Sequence, residues 1–394
     1  MSSFGELTAP KVEQTGPSGG DEFVYVDISS IDNQAKRIVD PKRLTLADAP
    51  SRARQRLRKG DVLVSMTRPN LNAVAIVLPD LDGAIGSTGF HVLRAKDDVE
   101  PHWLYYAVQS SSFVKAMCDL VQGALYPAVR PKDIREYGIS PPPLTKQREI
   151  VAELEKQFSR LDEAVANLQR VKANLKRYKD SVYSEAFGNA PNGTLGDLIE
   201  VGPQNGLYLP KDMYGDGVPI LRIDDYQTAW IRPVQELRRV KATQEQISTW
   251  ALCEDDLVVN RVNSMTHLGK CVRIPKSLAG TVFESNMMRM RLTAAASPKY
   301  VEHYLASRLG KKRLTGNAKW AVNQASINQK DVRATPIFVP DLAAQLALVT
   351  EIDRQLSIVR EVEAEVDANL KRAQALRQAT LAKAFSVQTE LQHD

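Results

Sequence analysis

The sequence predicts an α+β protein made of two pseudo-repeated α/β globular domains separated by two long antiparallel helices that form a coiled coil. Three observations predict it: an internal repeat without gaps, a heptad-like apolar seam in each copy, and short β-type runs mixed with helical ones in each half. At 394 residues, with 43% hydrophobic and 25% charged residues, the chain is long enough for two domains with cores of their own.

The repeat carries most weight. A shift of 198 positions places Leu144, Gln147, Val151, Glu153, Gln157, Ala186 and Phe187 on Leu342, Gln345, Val349, Glu351, Gln355, Ala384 and Phe385. It extends upstream with smaller shifts. Phe4-Gly5-Glu6-Leu7 resembles Leu195-Gly196-Asp197-Leu198, Leu57 with Asp61 to Ser65 parallels Leu252 with Asp256 to Asn260, and Lys132-Asp133 matches Lys330-Asp331. Duplicated domains drift in this way when their loops vary and their framework does not.

Val151, Leu154, Phe158, Leu161, Val165, Leu168, Leu175, Val182 and Ala186 keep a 3-4 spacing that Lys172 and Lys179 interrupt. Their repeat mates include Val349, Ile352, Leu356, Val359, Val366 and Ala373, with Glu363 as a polar break. About six heptads of seam argue for a coiled coil, because a helix packed on a sheet usually stops sooner. The domain between the helices should have its termini close together, so the second helix can pair with the first only by running back along it. At about 1.5 Å per residue such a helix spans about 66 Å, against roughly 34 Å for a turn of B-DNA. The expected division is 1–143 (first domain), 144–190 (first helix), 191–340 (second domain), 341–388 (second helix) and 389–394 (tail).

Phe23 to Ile28, Asp61 to Met66 and Ala73 to Leu78 read as strands in the first half, as do Pro219 to Ile223, Asp256 to Asn260 and Lys270 to Ile274 in the second. Single helical segments are expected over Trp103 to Val121 and Tyr300 to Leu314. No apolar run approaches the roughly 20 residues that span a bilayer, and the N-terminus lacks a signal pattern, so no membrane role and a cytoplasmic location are expected. Cys118, Cys253 and Cys271 form no Cys-x-x-Cys pair and read as reduced thiols. The histidines lack metal-ligand spacing, so no metal site is expected, and no nucleotide-binding, methylation or nuclease motif is complete. No catalytic constellation is readable.

The net charge of +5 is a weak pointer to an acidic partner. Its distribution says more: Lys36, Arg37, Lys42, Arg43, Arg52, Arg54, Arg56, Arg58 and Lys59 cluster in the first copy, with Arg238, Arg239 and Lys241 in the matching stretch of the second. Behind the strand at Asp61 come Ser65, Thr67, Arg68, Asn70 and Asn72, and behind its repeat mate come Asn260, Arg261, Asn263, Ser264, Thr266 and His267. Arg reads guanine, Asn reads adenine, and Ser or Thr reads either; Ser, Thr and Asn also simply close turns. A second pair of loops, before the long helices, carries Tyr126, Arg130 and Lys132 in one copy and Lys319, Trp320, Asn323, Gln324, Asn328 and Lys330 in the other. Those groups suit a nucleic-acid surface, although an aromatic there serves equally as core.

With Phe4-Gly5-Glu6-Leu7 and Leu195-Gly196-Asp197-Leu198, Gly60-Asp61-Val62-Leu63-Val64-Ser65, and the helix starts Pro142-Pro143-Leu144-Thr145-Lys146-Gln147-Arg148 and Val339-Pro340-Asp341-Leu342-Ala343-Ala344-Gln345, nearly the whole chain resembles HsdS, the specificity subunit of type I restriction-modification systems. The resemblance implies two target recognition domains, each reading half of a split double-stranded DNA site, with the helices as a ruler between them. It implies two methyltransferase (HsdM) subunits that supply S-adenosylmethionine chemistry, and restriction (HsdR) subunits, if present, that use ATP and Mg. The chain itself would be non-catalytic and hold no cofactor. Val171, Tyr178, Tyr183, Phe187, Leu376, Leu381 and Phe385 are the candidate partner contacts, the alternative being a wider internal seam. The competing function is a coiled-coil tether with protein-binding heads and no DNA role.

Overall fold

The computed structural model describes residues 2–123, 125–227, 230–321 and 324–390. The chain divides into two compact units, one formed by Met1–Gln169 with Asp367–Asp394 and the other by Arg170–Val366. Each holds one globular copy together with part of each long helix, Leu144–Phe187 and Leu342–Glu390.

In unit one the strand Val62–Ser65 lies between Phe90–Leu93 and Val74–Ile76, antiparallel to both. Its alternating side chains feed two cores, as a pleated strand requires. Val62 and Val64 pack with Trp103 and Phe113, while Leu63 packs with Leu57 and Phe90. A second sheet runs Lys42–Thr45, Glu22–Val26, Ile85–Ser87, Ala53–Arg56, its central pair parallel.

Unit two repeats this plan. Leu257–Asn260 sits between Met287–Leu292 and Cys271–Arg273, and Ile199–Asn205 adds a fourth strand. Leu257 and Val259 enter one core and Val258 another. A parallel pair recurs between Tyr214–Leu221 and Val282–Phe283.

The helical segment expected to be single is two helices in both copies, Pro101–Ala107 with Ser111–Asp119, and Pro298–Ala306 with Arg308–Leu314. A serine restarts each one. Ser110 Oγ accepts from Phe113 N at 3.3 Å and Ser307 Oγ from Gly310 N at 2.9 Å, so each serine caps a new helix where apolar periodicity alone suggests continuity.

The long helices pair antiparallel within each unit. In unit one Arg377 Nη1 lies 2.6 Å from Asp162 and its guanidinium 4.2 Å from the Phe158 ring centroid. In unit two Lys179 Nζ lies 2.7 Å from Glu363, and Tyr178 OH donates to Gln355 at 3.1 Å. Lys179, which interrupts one seam, thus meets the residue that interrupts the other. Val151, Leu154, Phe158 and Leu381 are buried with the first globular core, and Val182, Ala186, Phe187, Val349, Ile352 and Leu356 with the second.

Buried polar residues fix the same joints in both copies. Gln147 Oε1 accepts from Glu100 N at 2.8 Å while its Nε2 donates to Pro142 O at 2.8 Å. Gln345 does the same with Ser297 N at 2.8 Å and Pro340 O at 2.9 Å. Asp61 caps Arg58 N and pairs with Arg94, as Asp256 caps Cys253 N and pairs with Arg291. Each globular copy is therefore tied to the start of the long helix that follows it.

Candidate nucleic-acid interface

In unit one the two polar loops, far apart in sequence, lie side by side. Arg68 N donates to Pro127 O at 2.8 Å, Val129 N donates to Met66 O at 2.8 Å, and Thr67 bridges Ala128. Two residues in the first loop hold left-handed backbone, Arg68 (φ 49) and Asn72 (φ 44), flanking the single turn Pro69–Leu71. Such conformations persist only where the surroundings enforce them. Here the second loop holds Arg68, and Lys36 Nζ donates to Asn72 O at 2.6 Å. Burial, with Arg377 nearby, brings the Lys36 ammonium down to about 8.

Thr67, Arg68 and Asn70 are exposed and Asn72 is half-buried. Among the described residues the Arg68 guanidinium has no hydrogen-bond or ion-pair partner, which leaves it available to a ligand. Arg130 is exposed but doubly bonded to Asp133, and Lys132 lies 3.5 Å from Glu136. Tyr126 is 85% exposed, so it is no part of the core.

Unit two brings the corresponding loops together more tightly. Val262–Asn263 pairs with Ser326 and Ala325, Gln324–Ser326 pairs in turn with Lys319–Ala321, and Ile327 N donates to Arg261 O at 2.9 Å. Lys319, Gln324, Thr266, His267 and Lys330 are exposed, and Asn263 and Ser264 half-buried. Ser264 and Thr266 share a hydroxyl bond at 2.9 Å, while Arg261 is half-buried with its Nη1 on Ser285 O. Asn323 lies outside the described residues.

Three of the polar candidates do structural work. Asn260 is fully buried: its Oδ1 accepts from Tyr226 OH and its Nδ2 donates to His267 O at 3.4 Å, so it braces the loop and offers DNA nothing. Burial in turn pushes the Tyr226 hydroxyl well above its ordinary range. Ser65 is buried and closes its own turn through Thr67. Asn328 is exposed, yet its Oδ1 caps Lys330 N and Asp331 N at a helix start.

Comparison with known proteins places this architecture. Residues 27–176 match the family model described as type I restriction modification DNA specificity domain. The chain is 24% identical over 316 residues to the EcoKI specificity subunit of Escherichia coli (strain K12), covering 75% of this chain and 67% of that protein. It is 25% identical over 309 residues to the StySPI specificity subunit of Salmonella potsdam, covering 74% and 66%. The matches thus span about two thirds of those relatives' length. Among solved structures, one from work on complex assembly and conformational transition of the type I R-M system superposes with a TM-score of 0.79 at 27% identity, covering 97% of this chain and 96% of the other. The HsdS subunit from Thermoanaerobacter tengcongensis gives 0.52 at 28%, covering 97% and 95%.

Over most of its length the chain is similar to type I restriction-modification specificity subunits, and residues 27–176 match their DNA specificity domain. The packing of the helices corrects the helix-face candidates. Phe187 and Leu381 are buried, at 1% and 0% exposure, because the end of the first helix packs into the core of unit two and the end of the second helix into the core of unit one. Tyr183 stacks on Phe187, and Phe385 lies 5.7 Å from the Trp103 ring. For these four the wider internal seam describes the packing. Val171, Tyr178 and Leu376 stay exposed on the helices.

Sequence reasoning passed over several exposed groups. Leu125 is 87% exposed beside Tyr126, and in unit two Tyr208 overhangs a groove of about 740 Å³ lined also by Lys211, Tyr214, Arg222, Arg238 and Arg239. The Arg238-Arg239 pair was the one legible sign of that groove. Among the described residues no group of three or more His, Cys, Asp or Glu is placed to hold a metal ion, and no helix is long and apolar enough to cross a membrane.

Proposed function

We propose that this chain is the DNA-reading component of a type I restriction-modification complex. Each globular copy reads one half of a bipartite, asymmetric site on double-stranded DNA, and the paired helices set the unread spacer between the halves. Two methyltransferase (HsdM) subunits dock on the chain, with Val171, Tyr178 and Leu376 as contacts, and restriction (HsdR) subunits join where the system has them. Adenine methylation from S-adenosylmethionine, and any ATP- and Mg-dependent cleavage, belong to those subunits. The chain recognises and scaffolds without catalysing, in the cytoplasm where the DNA is.

The observation that carries this reading is the convergence, in both copies, of two separately encoded polar loops into one backbone-bonded surface. One surface shows Thr67, Arg68 and Asn70; the other shows Asn263, Lys319 and Gln324. Side chains that read base edges must be held at fixed positions, and inter-loop backbone bonding holds them.

The test is a binding titration of the assembled complex on its own site and on half-site mutants. Arg68→Ala should weaken recognition of one half by about 1–3 kcal/mol and leave the other readable, with Gln324→Ala doing the converse. Equal losses on every DNA sequence would make these phosphate contacts.

A further inference from the structure

Both reading surfaces end in a large apolar side chain that the fold leaves in water. Leu125 and Tyr126 are 87% and 85% exposed, and Trp320 is 73% exposed. All three lie in the same connection of the repeat, between the helix that ends at Asp119 or Leu314 and the short helix Pro131–Arg135 or Gln329–Arg333. They do not align: a shift of 198 positions sets Gln324, not Trp320, against Tyr126. The two copies thus place a bulky apolar group in the same connection by different residues.

The tips are held from below. The bonds of Arg68 N to Pro127 O and Val129 N to Met66 O clamp the segment immediately after Tyr126, and Trp320 stands in a strand paired with Gln324–Ser326. The same paired loops carry Arg68, Arg130 and Lys132 in one unit, and Lys319, Gln324 and Lys330 in the other, all exposed, with Arg130 and Lys132 paired to Asp133 and Glu136. An apolar tip in a surface that also shows the Arg68 guanidinium, unpaired among the described residues, or Lys319 and Gln324 fits a partner that is anionic outside and apolar within. A base stack beneath its phosphates has that character, and proteins that wedge Phe, Leu or similar side chains between base steps use it.

We infer that Leu125 with Tyr126 in unit one, and Trp320 in unit two, insert against or between adjacent bases of the bound duplex, opening one base step in each half-site. This rests on the DNA-reading role proposed above. The inserted group replaces the lost base-base stacking with side-chain stacking, so the ease of opening a step adds to sequence preference at bases the polar side chains never touch.

The test uses the complex assembled with its methyltransferase subunits and duplexes carrying 2-aminopurine at successive positions of each half-site, the methylated adenine excluded. Fluorescence should rise several-fold at one step per half-site. In the double variant Leu125→Ser with Tyr126→Ser the rise should vanish in one half-site and persist in the other, with affinity about 5- to 100-fold lower; Trp320→Ser should reverse the pattern. These side chains are on the surface, so the variants keep their cores. Sequence-specific binding with no fluorescence rise, or with a rise that the variants retain, would overturn the inference while leaving the recognition role intact. Loss of methyltransferase binding with the DNA signal unchanged would make the tips protein contacts and overturn it equally. A complex with no sequence preference at all would remove the recognition role, and the inference with it.

Discussion

Replacing Gln345 by Leu tests how firmly a globular copy is fixed to its helix. The side chain is fully buried. Its Oε1 accepts from Ser297 N at 2.8 Å, and its Nε2 donates to Pro340 O at 2.9 Å and Ala295 O at 3.1 Å. Leucine fills nearly the same volume, so little cavity forms. What changes is that the Ser297 amide, at the cap of Pro298–Ala306, loses its acceptor, and two carbonyls lose a donor. A buried donor left unmade costs about 1–3 kcal/mol, and carbonyls with a second lone pair cost less. The sum is about 2–4 kcal/mol, equivalent to roughly 5–15 °C in the melting of a unit this size. Calorimetry reads the shift, and hydrogen exchange at the Ser297 amide locates it. Gln147→Leu should match it in unit one, with Glu100 as the exposed amide. A change within about 0.5 kcal/mol, or lost stability with Ser297 still protected, would refute the reasoning.

His91 lies in the Phe90–Leu93 strand with its Nε2 buried and without a partner, and burial, aided by Arg135, takes its imidazole down to about 4. The unfolded chain therefore binds the proton more readily: the neutral ring's stabilisation is full above about 6.5 and is lost as pH falls from there to about 4, worth about 3 kcal/mol at roughly 1.4 kcal/mol per pH unit. Denaturant titrations of wild type and His91→Leu across that window should diverge, wild type falling faster on acidification; parallel curves would contradict the assignment. Asn260→Ala should cost about 1–3 kcal/mol of stability by stripping Tyr226 of its acceptor, whereas a protein of wild-type stability that has lost DNA specificity would return Asn260 to the interface. One heptad inserted near Ala166 and another near Ala364 adds about 10 Å of helix, so the tolerated DNA spacer should lengthen, and an unchanged spacer would remove the ruler.

Legibility followed the range of the interactions. The duplicated helices could be read because a 3-4 spacing is local, and Gln147 and Gln345 stood out only as repeat mates, because the amides they tie down, Glu100 and Ser297, lie 47 and 48 residues away. Asn260 could not be read as core, because Val-Val-Asn before a turn looks like an exposed strand end, and the hydroxyl that buries it comes from Tyr226, 34 residues away. Likewise Arg68 and Pro127 carry no sign that their backbones meet. Phe187 and Leu381 look like outward helix residues until the globular cores close over them. Leu125 and Trp320 show the opposite failure, since apolar side chains give no local signal that a fold will leave them in water.

In the proposed function two related surfaces on one chain read two halves of one DNA site. Mapping methylated adenines in DNA modified by the assembled complex tests it most directly. A single motif of two short specific halves separated by a fixed unread spacer is expected, with Arg68→Ala relaxing one half only and Gln324→Ala the other. A contiguous motif, or one in which both variants relax the same bases, would contradict it.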